Sequence, residues 1–343
     1  VTGISWTDET WNPVRGCSRV SEGCRHCYAE RVAARFSGPG QPYEGLARHK
    51  LTIVNNEERD PDNRSEARWT GEVRLVADHL ADPLRWRKPR RIFVNSMSDL
   101  FHEKLSNEQI AAVFGVMAAC PQHTFQILTK RAKRMREWFE WLRGPSESTF
   151  TMQQRGIASA PNTARALLDA AYEILGKPSK PELDAAWKQL EHDPWPLPNV
   201  WLGVSVENQD AADERIPDLL ATPAAVRFLS AEPLLGPVTI RAWLPLIGAR
   251  SSPVLATEAV ATYGLDWVIA GCESGPGARP CDVAWQRSLR DQCAAASVPF
   301  WLKQASDDIA EITTGPGSKR KPGGVIELPY LDGVQHAAFP DRS

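Results

Sequence analysis

Six short apolar runs recur along the chain: Arg91–Ser96 (RIFVNS), Thr124–Leu128 (TFQIL), Val200–Val206 (VWLGVSV), Val226–Ser230 (VRFLS), Asp266–Ala270 (DWVIA) and Pro299–Leu302 (PFWL). Between them lie helical patterns at Asn107–Ala119, Ala132–Leu142, Ala211–Leu220 and Ala284–Ala296, with an earlier one at Tyr28–Phe36. Strand-length runs alternating with helix-length segments predict a parallel α/β sheet or barrel, because parallel strands need a crossover between them. Ser106 with Gln109 three residues on gives the second helix a capping box.

Two stretches interrupt the alternation. Residues 144–199 carry a polar, partly helical segment (ARALLDAAYEIL, then PELDAAWKQLEHD) with Pro-rich ends, and Ala242–Leu265 is a looser connection. Both read as insertions over a scaffold. The expected organisation is one domain over residues 1–305 with the insertion at about 144–199, then a tail over 306–343. That tail is rich in Gly, Pro and Lys (TTGPGSKRKPGG), which predicts a mobile loop before a short ending.

A chain of 343 residues buries a real core without staples. Its formal charge of −2 gives no overall bias towards nucleic acid or anionic membrane, so such a partner would be met by a local patch. No apolar run nears the roughly 18 residues of a membrane span, and VTGISWTDET lacks the regions of a signal peptide. The expectation is a cytoplasmic protein with no membrane partner.

Seven cysteines are an odd number and unevenly spaced, which excludes a fully paired disulfide scaffold. Cys17, Cys24 and Cys27 form C-x6-C-x2-C, with Tyr28 directly after the third. Three thiolates on a short loop ending at a helix start suit one cuboidal [4Fe-4S] cluster whose fourth iron is left open. The competing reading is structural zinc, with His26 as a fourth ligand, although no second C-x2-C supplies the usual distant pair. Cys272, Cys281 and Cys293 could hold a second cluster but read better as packing residues, and Cys120 carries no assignment.

A wider set of motifs carries a resemblance. Trp6-Thr7-Asp8, Thr10-Trp11-Asn12-Pro13, Gly16-Cys17, Gly23-Cys24, Cys27-Tyr28-Ala29, Asn95 through Glu103 (NSMSDLFHE) and Leu128-Thr129-Lys130-Arg131 resemble a family of uncharacterised phage and prophage proteins. Gly203 through Asn208 (GVSVEN), Arg215-Ile216-Pro217, Leu229 through Leu234 (LSAEPL), Glu273-Ser274-Gly275 and Lys303-Gln304 extend the match over about residues 4–305. That family is distantly similar to the spore photoproduct lyase branch of the radical S-adenosylmethionine superfamily. The first cysteine gap is longer than in that branch, and its Pro-Tyr-Gln-Pro run is missing. The resemblance implies a partial (β/α)6 barrel of the TIM type, with the cluster at the C-terminal strand ends. It also implies S-adenosylmethionine as cofactor, an external electron donor and a 5′-deoxyadenosyl radical that abstracts hydrogen from a substrate.

Polar residues follow each expected strand, and in an α/β barrel those ends form one mouth. On the resemblance, Tyr28, Ser96, Ser98 and Asp99 are expected at the cofactor, the last two against its methionyl amine or ribose. Ser205, Glu207 and Arg215 would serve the ribose and carboxylate, leaving Lys130, Glu232, Glu273 and Lys303 as catalytic groups facing the substrate. The glycine-rich Gly271–Gly277 matches no nucleotide fingerprint, and a plain turn suits it equally. Two basic runs, Arg85–Arg91 and Lys130–Arg136, could hold phosphates or could be solvated faces. The leading expectation is a radical enzyme acting on a nucleic acid base or nucleotide, in DNA, RNA or free. The alternative is a non-catalytic, zinc-dependent nucleic-acid-binding protein.

Overall fold

A computed structural model describes residues 3–50, 52–54, 57–59, 66–143, 167, 170–171, 173, 196–245, 264–275, 277–321 and 323–340. Nearly all of the expected insertion and most of Ala242–Leu265 lie outside them.

Nine strands form the central sheet: β1 (Glu9–Trp11), β2 (Arg91–Val94), β3 (Thr124–Thr129), β4 (Val200–Val206), β5 (Val226–Ala231), β6 (Trp267–Gly271), β7 (Phe300–Ser306), β8 (Lys319–Lys321) and β9 (Val325–Glu327). Their order is β1-β2-β3-β4-β5-β6-β7-β9-β8. The first seven are parallel and in chain order, and the last two add antiparallel at one edge. The fold is therefore mixed α/β around a large, mostly parallel sheet. Six helices belong to the described residues: α1 (Tyr28–Arg35), α2 (Ala77–Leu80), α3 (Asn107–Ala118), α4 (Ala132–Arg143), α5 (Gln209–Leu220) and α6 (Val283–Ala295). The expected capping box at Ser106 and Gln109 is formed in both directions.

Side chains alternate across a strand, and this sheet uses the alternation to build two cores. Ile92 and Val94, Leu202 and Val204, Val268 and Ala270, and Phe300 and Leu302 pack with Phe114, Met117, Trp138, Ile216 and Leu289 of the helices. Their neighbours Phe93, Trp201, Phe228, Trp267, Ile269 and Trp301 form a second cluster with Trp6. The face away from the helices is thus an aromatic layer. Its rings meet edge-on or tilted, as at Trp201 and Trp267, 5.9 Å apart at 79°.

Two elements depart from expectation. β1 is too short and polar to read as a strand, but it is pinned to β2, with Asn95 N donating to Trp11 O at 2.7 Å. The expected loop-rich tail instead supplies β8 and β9, because Val325 and Ile326 are apolar enough to bury against β7. Among the described residues, no helix is long and apolar enough to cross a membrane.

Candidate functional site

The cysteine loop is held by backbone that follows β1. Gly16 has φ +91°, and a Cβ there would stand 2.1 Å from the carbonyl oxygen of Glu72, so only glycine fits. Gly16 bridges to Ser98, and the Ser98 hydroxyl donates to Val14 O at 2.8 Å, fixing the approach to Cys17. Cys24 ends a short 3-10 turn, and Cys27 is the N-cap of α1. All three thiols are free. Burial pushes Cys17 up to about 12. It raises Cys27 as well, against the opposing influence of the backbone N–H groups of Ala29 and Glu30 at the start of α1.

Cys17, Cys24 and Cys27 line a cavity of about 250 Å³ at the C-terminal ends of the parallel strands. Its other walls follow from strand parity. Phe93 leads to Asn95 on one strand, Gln126 and Leu128 to Lys130 on the next, then Trp201 and Gly203 to Ser205, Phe228 and Ser230 to Glu232, and Trp301 to Lys303. Glu273 joins them beyond the bulge at Gly271. The cavity therefore sits on the aromatic face of the sheet, with Ile4, Trp6, Phe93 and Leu128 below its polar rim.

The expected site residues divide into three groups. Tyr28, Ser96, Ser98, Asp99, Lys130, Ser205, Glu232, Glu273 and Lys303 all line the cavity with the cysteines. Within it, Lys130 Nζ donates to Ser205 Oγ at 2.5 Å, Ser205 Oγ donates to Glu232 O at 2.9 Å, and Lys303 forms an ion pair with the Glu232 carboxylate. The Tyr28 hydroxyl donates to Ser96 O at 2.6 Å.

Asp99 lines the cavity but spends its carboxylate inside the protein. It accepts from Phe101 N at 3.0 Å, Thr129 Oγ1 at 2.8 Å, Lys130 N at 3.2 Å and Arg131 Nη1 at 3.1 Å. It braces the loop after β2 against the loop after β3.

Glu207 and Arg215 stand outside the cavity lining. They form a buried pair at 2.9 Å behind the cysteine loop, where a Cβ on Gly23 would meet Glu207 Oε2 at 2.9 Å. Arg215 also donates to Ser205 O at 2.7 Å, so the pair supports residues that the cavity does present.

Arg131 and Arg279, which had no assigned role in the sequence, and His26, expected only as a ligand in the zinc reading, prove central. Arg131 is buried between the loops and is considered further below. His26 Nδ1 is 2.9 Å from Glu273 Oε2, an orientation tied to strand β6 rather than to the cysteines. Arg279 donates to the same carboxylate from its backbone N at 2.9 Å and from Nη2 at 2.6 Å, and to Glu22 O at 3.0 Å. Burial would raise Glu273, but these donors outweigh it and hold the carboxyl at about 2. The result is a clamp from the cysteine loop to the end of β6. Across it, Arg31 fills the space beside Gly275, so the close approach that this glycine permits is made by an arginine of α1.

Of the two basic runs, only Lys130 and Arg131 line the cavity. Arg90 and Arg91 pair with Glu9 and Asp8 where β1 and β2 begin, at the opposite end of the sheet. In the second run Arg131 is enclosed, Arg134 donates to Asn107, and Arg136 pairs with Asp218. Cys120, Cys272, Cys281 and Cys293 are buried in the helix-side core, the surroundings of packing residues for the last three, and Cys272 also reaches the cavity wall.

Three thiolates in one cavity match the number of donors that a cuboidal cluster with one open iron takes from a protein. A cuboidal cluster binds each thiolate at a different iron, so its ligands stand around a volume, whereas zinc needs every donor about 2.0–2.3 Å from one point. The helix N-terminus at Cys27 and the guanidinium beside Cys17 both favour negative charge on sulfur.

The sequence profile of one family, described as a protein of unknown function (DUF5131), matches residues 1–340. No curated protein and no solved structure matches the chain.

Proposed function

The chain belongs to the DUF5131 family over residues 1–340, and we propose that it is a radical S-adenosylmethionine enzyme acting on a nucleobase or nucleotide. The observation that carries the reading is the meeting of Cys17, Cys24 and Cys27 in one cavity with polar residues from the C-terminal ends of consecutive parallel strands. When bound, a [4Fe-4S] cluster on these thiolates supplies the electron that cleaves S-adenosylmethionine to a hydrogen-abstracting 5′-deoxyadenosyl radical.

The chain's own residues have separable tasks. Lys130, steadied by Ser205, offers a cation for the cofactor carboxylate, and Ser96, Ser98 and Tyr28 shape the opposite wall. Glu232 and Lys303 present one charge of each sign towards the substrate. Ile4, Trp6, Phe93 and Leu128 exclude water and give a planar ring an apolar surface. Sequential parallel strands with one aromatic face also suit a partial barrel, in which that face would be the interior. An external electron donor and a cytoplasmic setting belong to the same reading.

Anaerobic reconstitution with iron and sulfide tests the cysteine assignment. The expected product carries about four irons and four sulfides per chain, and its reduced electron paramagnetic resonance signal changes when S-adenosylmethionine is added. About one zinc per chain with no iron uptake would replace this reading with a zinc-binding protein.

A further inference from the structure

Arg131 is placed to do more than brace a loop. Its side chain is 4% exposed, yet every nitrogen has a partner. Nε donates to both oxygens of Glu103, at 2.9 and 3.1 Å. Nη1 donates to Asp99 Oδ2 at 3.1 Å and approaches Cys17 Sγ at 3.9 Å. Nη2 donates to Ser18 O at 3.1 Å and Ser18 Oγ at 2.8 Å. The Ser18 hydroxyl is held from its other side by His102 Nε2 at 2.9 Å. Asp99 is in turn saturated, and Arg131 N donates to Thr129 Oγ1 at 2.8 Å.

This fork cannot rotate away without breaking contacts on three segments. A lysine, with a single point charge and no planar fork, could not reproduce them. A charged donor directed at the cysteine loop's first sulfur is thereby fixed at a set distance in a place that water screens poorly.

We propose that Arg131 is a positioning residue that sets the reduction potential of the cluster through Cys17. The inference rests on the reading that Cys17, Cys24 and Cys27 hold a [4Fe-4S] cluster. Reduction adds one negative charge to the cluster, and a fixed cation with an N–H directed at a ligand sulfur favours the reduced form. Arg131 therefore raises the potential, while Asp99 and Glu103 hold the guanidinium in place and partly offset its charge. Asp99, buried beside it, exerts the larger opposing field, and the exposed Glu103 the smaller.

The test is a redox titration of the reconstituted protein, read by absorbance and electron paramagnetic resonance, on the parent and on Arg131→Gln, Arg131→Lys and Glu103→Gln. The expected result is a more negative midpoint in Arg131→Gln and a smaller negative shift in Arg131→Lys. Glu103→Gln should shift the midpoint in the positive direction, because it removes a counter-charge while Asp99 and Ser18 still hold the guanidinium. A cluster that binds at parental stoichiometry with an unchanged midpoint in Arg131→Gln overturns the proposal and leaves the cysteine assignment standing. If Arg131→Gln does not fold, unchanged midpoints in both remaining variants overturn it equally. A parent that takes up no cluster defeats the cysteine assignment itself, and the proposal with it.

Discussion

Replacing Asp99 by alanine removes the acceptor that joins two loops of the site, and its cost follows from the contacts. The carboxylate serves the Thr129 hydroxyl, the backbone N–H groups of Phe101 and Lys130, and the buried guanidinium of Arg131. Without it Arg131 keeps only Glu103 as a carboxylate partner, and Glu103 is 59% exposed. Removing one partner of a buried pair costs about 3–5 kcal/mol. For a chain of this size each kcal/mol moves the melting temperature by roughly 2 °C, so Asp99→Ala should lower it by about 6–10 °C. Asp99→Asn keeps an acceptor oxygen but not the charge, and should fall between the parent and alanine. Thermal unfolding of the metal-free protein, followed by tryptophan fluorescence, reads this without any contribution from a cluster. An Asp99→Ala melting temperature within about 1 °C of the parent would refute the brace and return Asp99 to the cofactor contact expected of it from the sequence.

Three further outcomes follow from the same contacts. Gly203→Ala would place a methyl about 2.5 Å from the Phe228 ring, and should cost about 1–3 kcal/mol in urea unfolding with no change in iron uptake. Glu273 is held near 2, below its ordinary value of 4.5, so its contribution to stability is complete above 4.5 and is lost as pH falls towards 2. Glu273→Gln should therefore be less stable than the parent at neutral pH, with a gap that narrows between pH 4.5 and 2; a pH-independent gap would contradict the clamp. Lys130→Met should weaken S-adenosylmethionine binding to the reconstituted protein about tenfold or more, roughly 1.4 kcal/mol, measured by calorimetry.

Much of this architecture is legible in the residues. The six apolar runs became β2 to β7 within a few residues at each end, because buried parallel strands read as continuous apolar segments. The capping box at Ser106 was equally plain. β1 and β9 were not, since three-residue strands carry little pattern of their own and gain their pairing from the sheet. In the site, residues on the aromatic parity in the C-terminal part of a strand, Ser205 and Lys303, or directly after one, Lys130 and Glu232, meet in the cavity. The same parity, followed back from Ser205 to Trp201, would also have separated the aromatic face from the helix face. Glu207 shares that parity but lies past the end of β4, where Arg215, eight residues on in α5, pairs with it outside the cavity lining. The role of Arg131 was hidden by its neighbours. In a run of basic residues it reads as surface charge, and only the positions of Asp99, Glu103 and Ser18, distant in sequence, reveal a buried fork.

The central claim is that the three-cysteine cavity cleaves S-adenosylmethionine. Its most direct measurement is the mass of the nucleoside released when the anaerobically reconstituted, dithionite-reduced protein is incubated with that cofactor. The account predicts 5′-deoxyadenosine from the parent and none from Cys24→Ala. Intact S-adenosylmethionine after incubation with a parent that holds its full complement of iron and sulfide would contradict it.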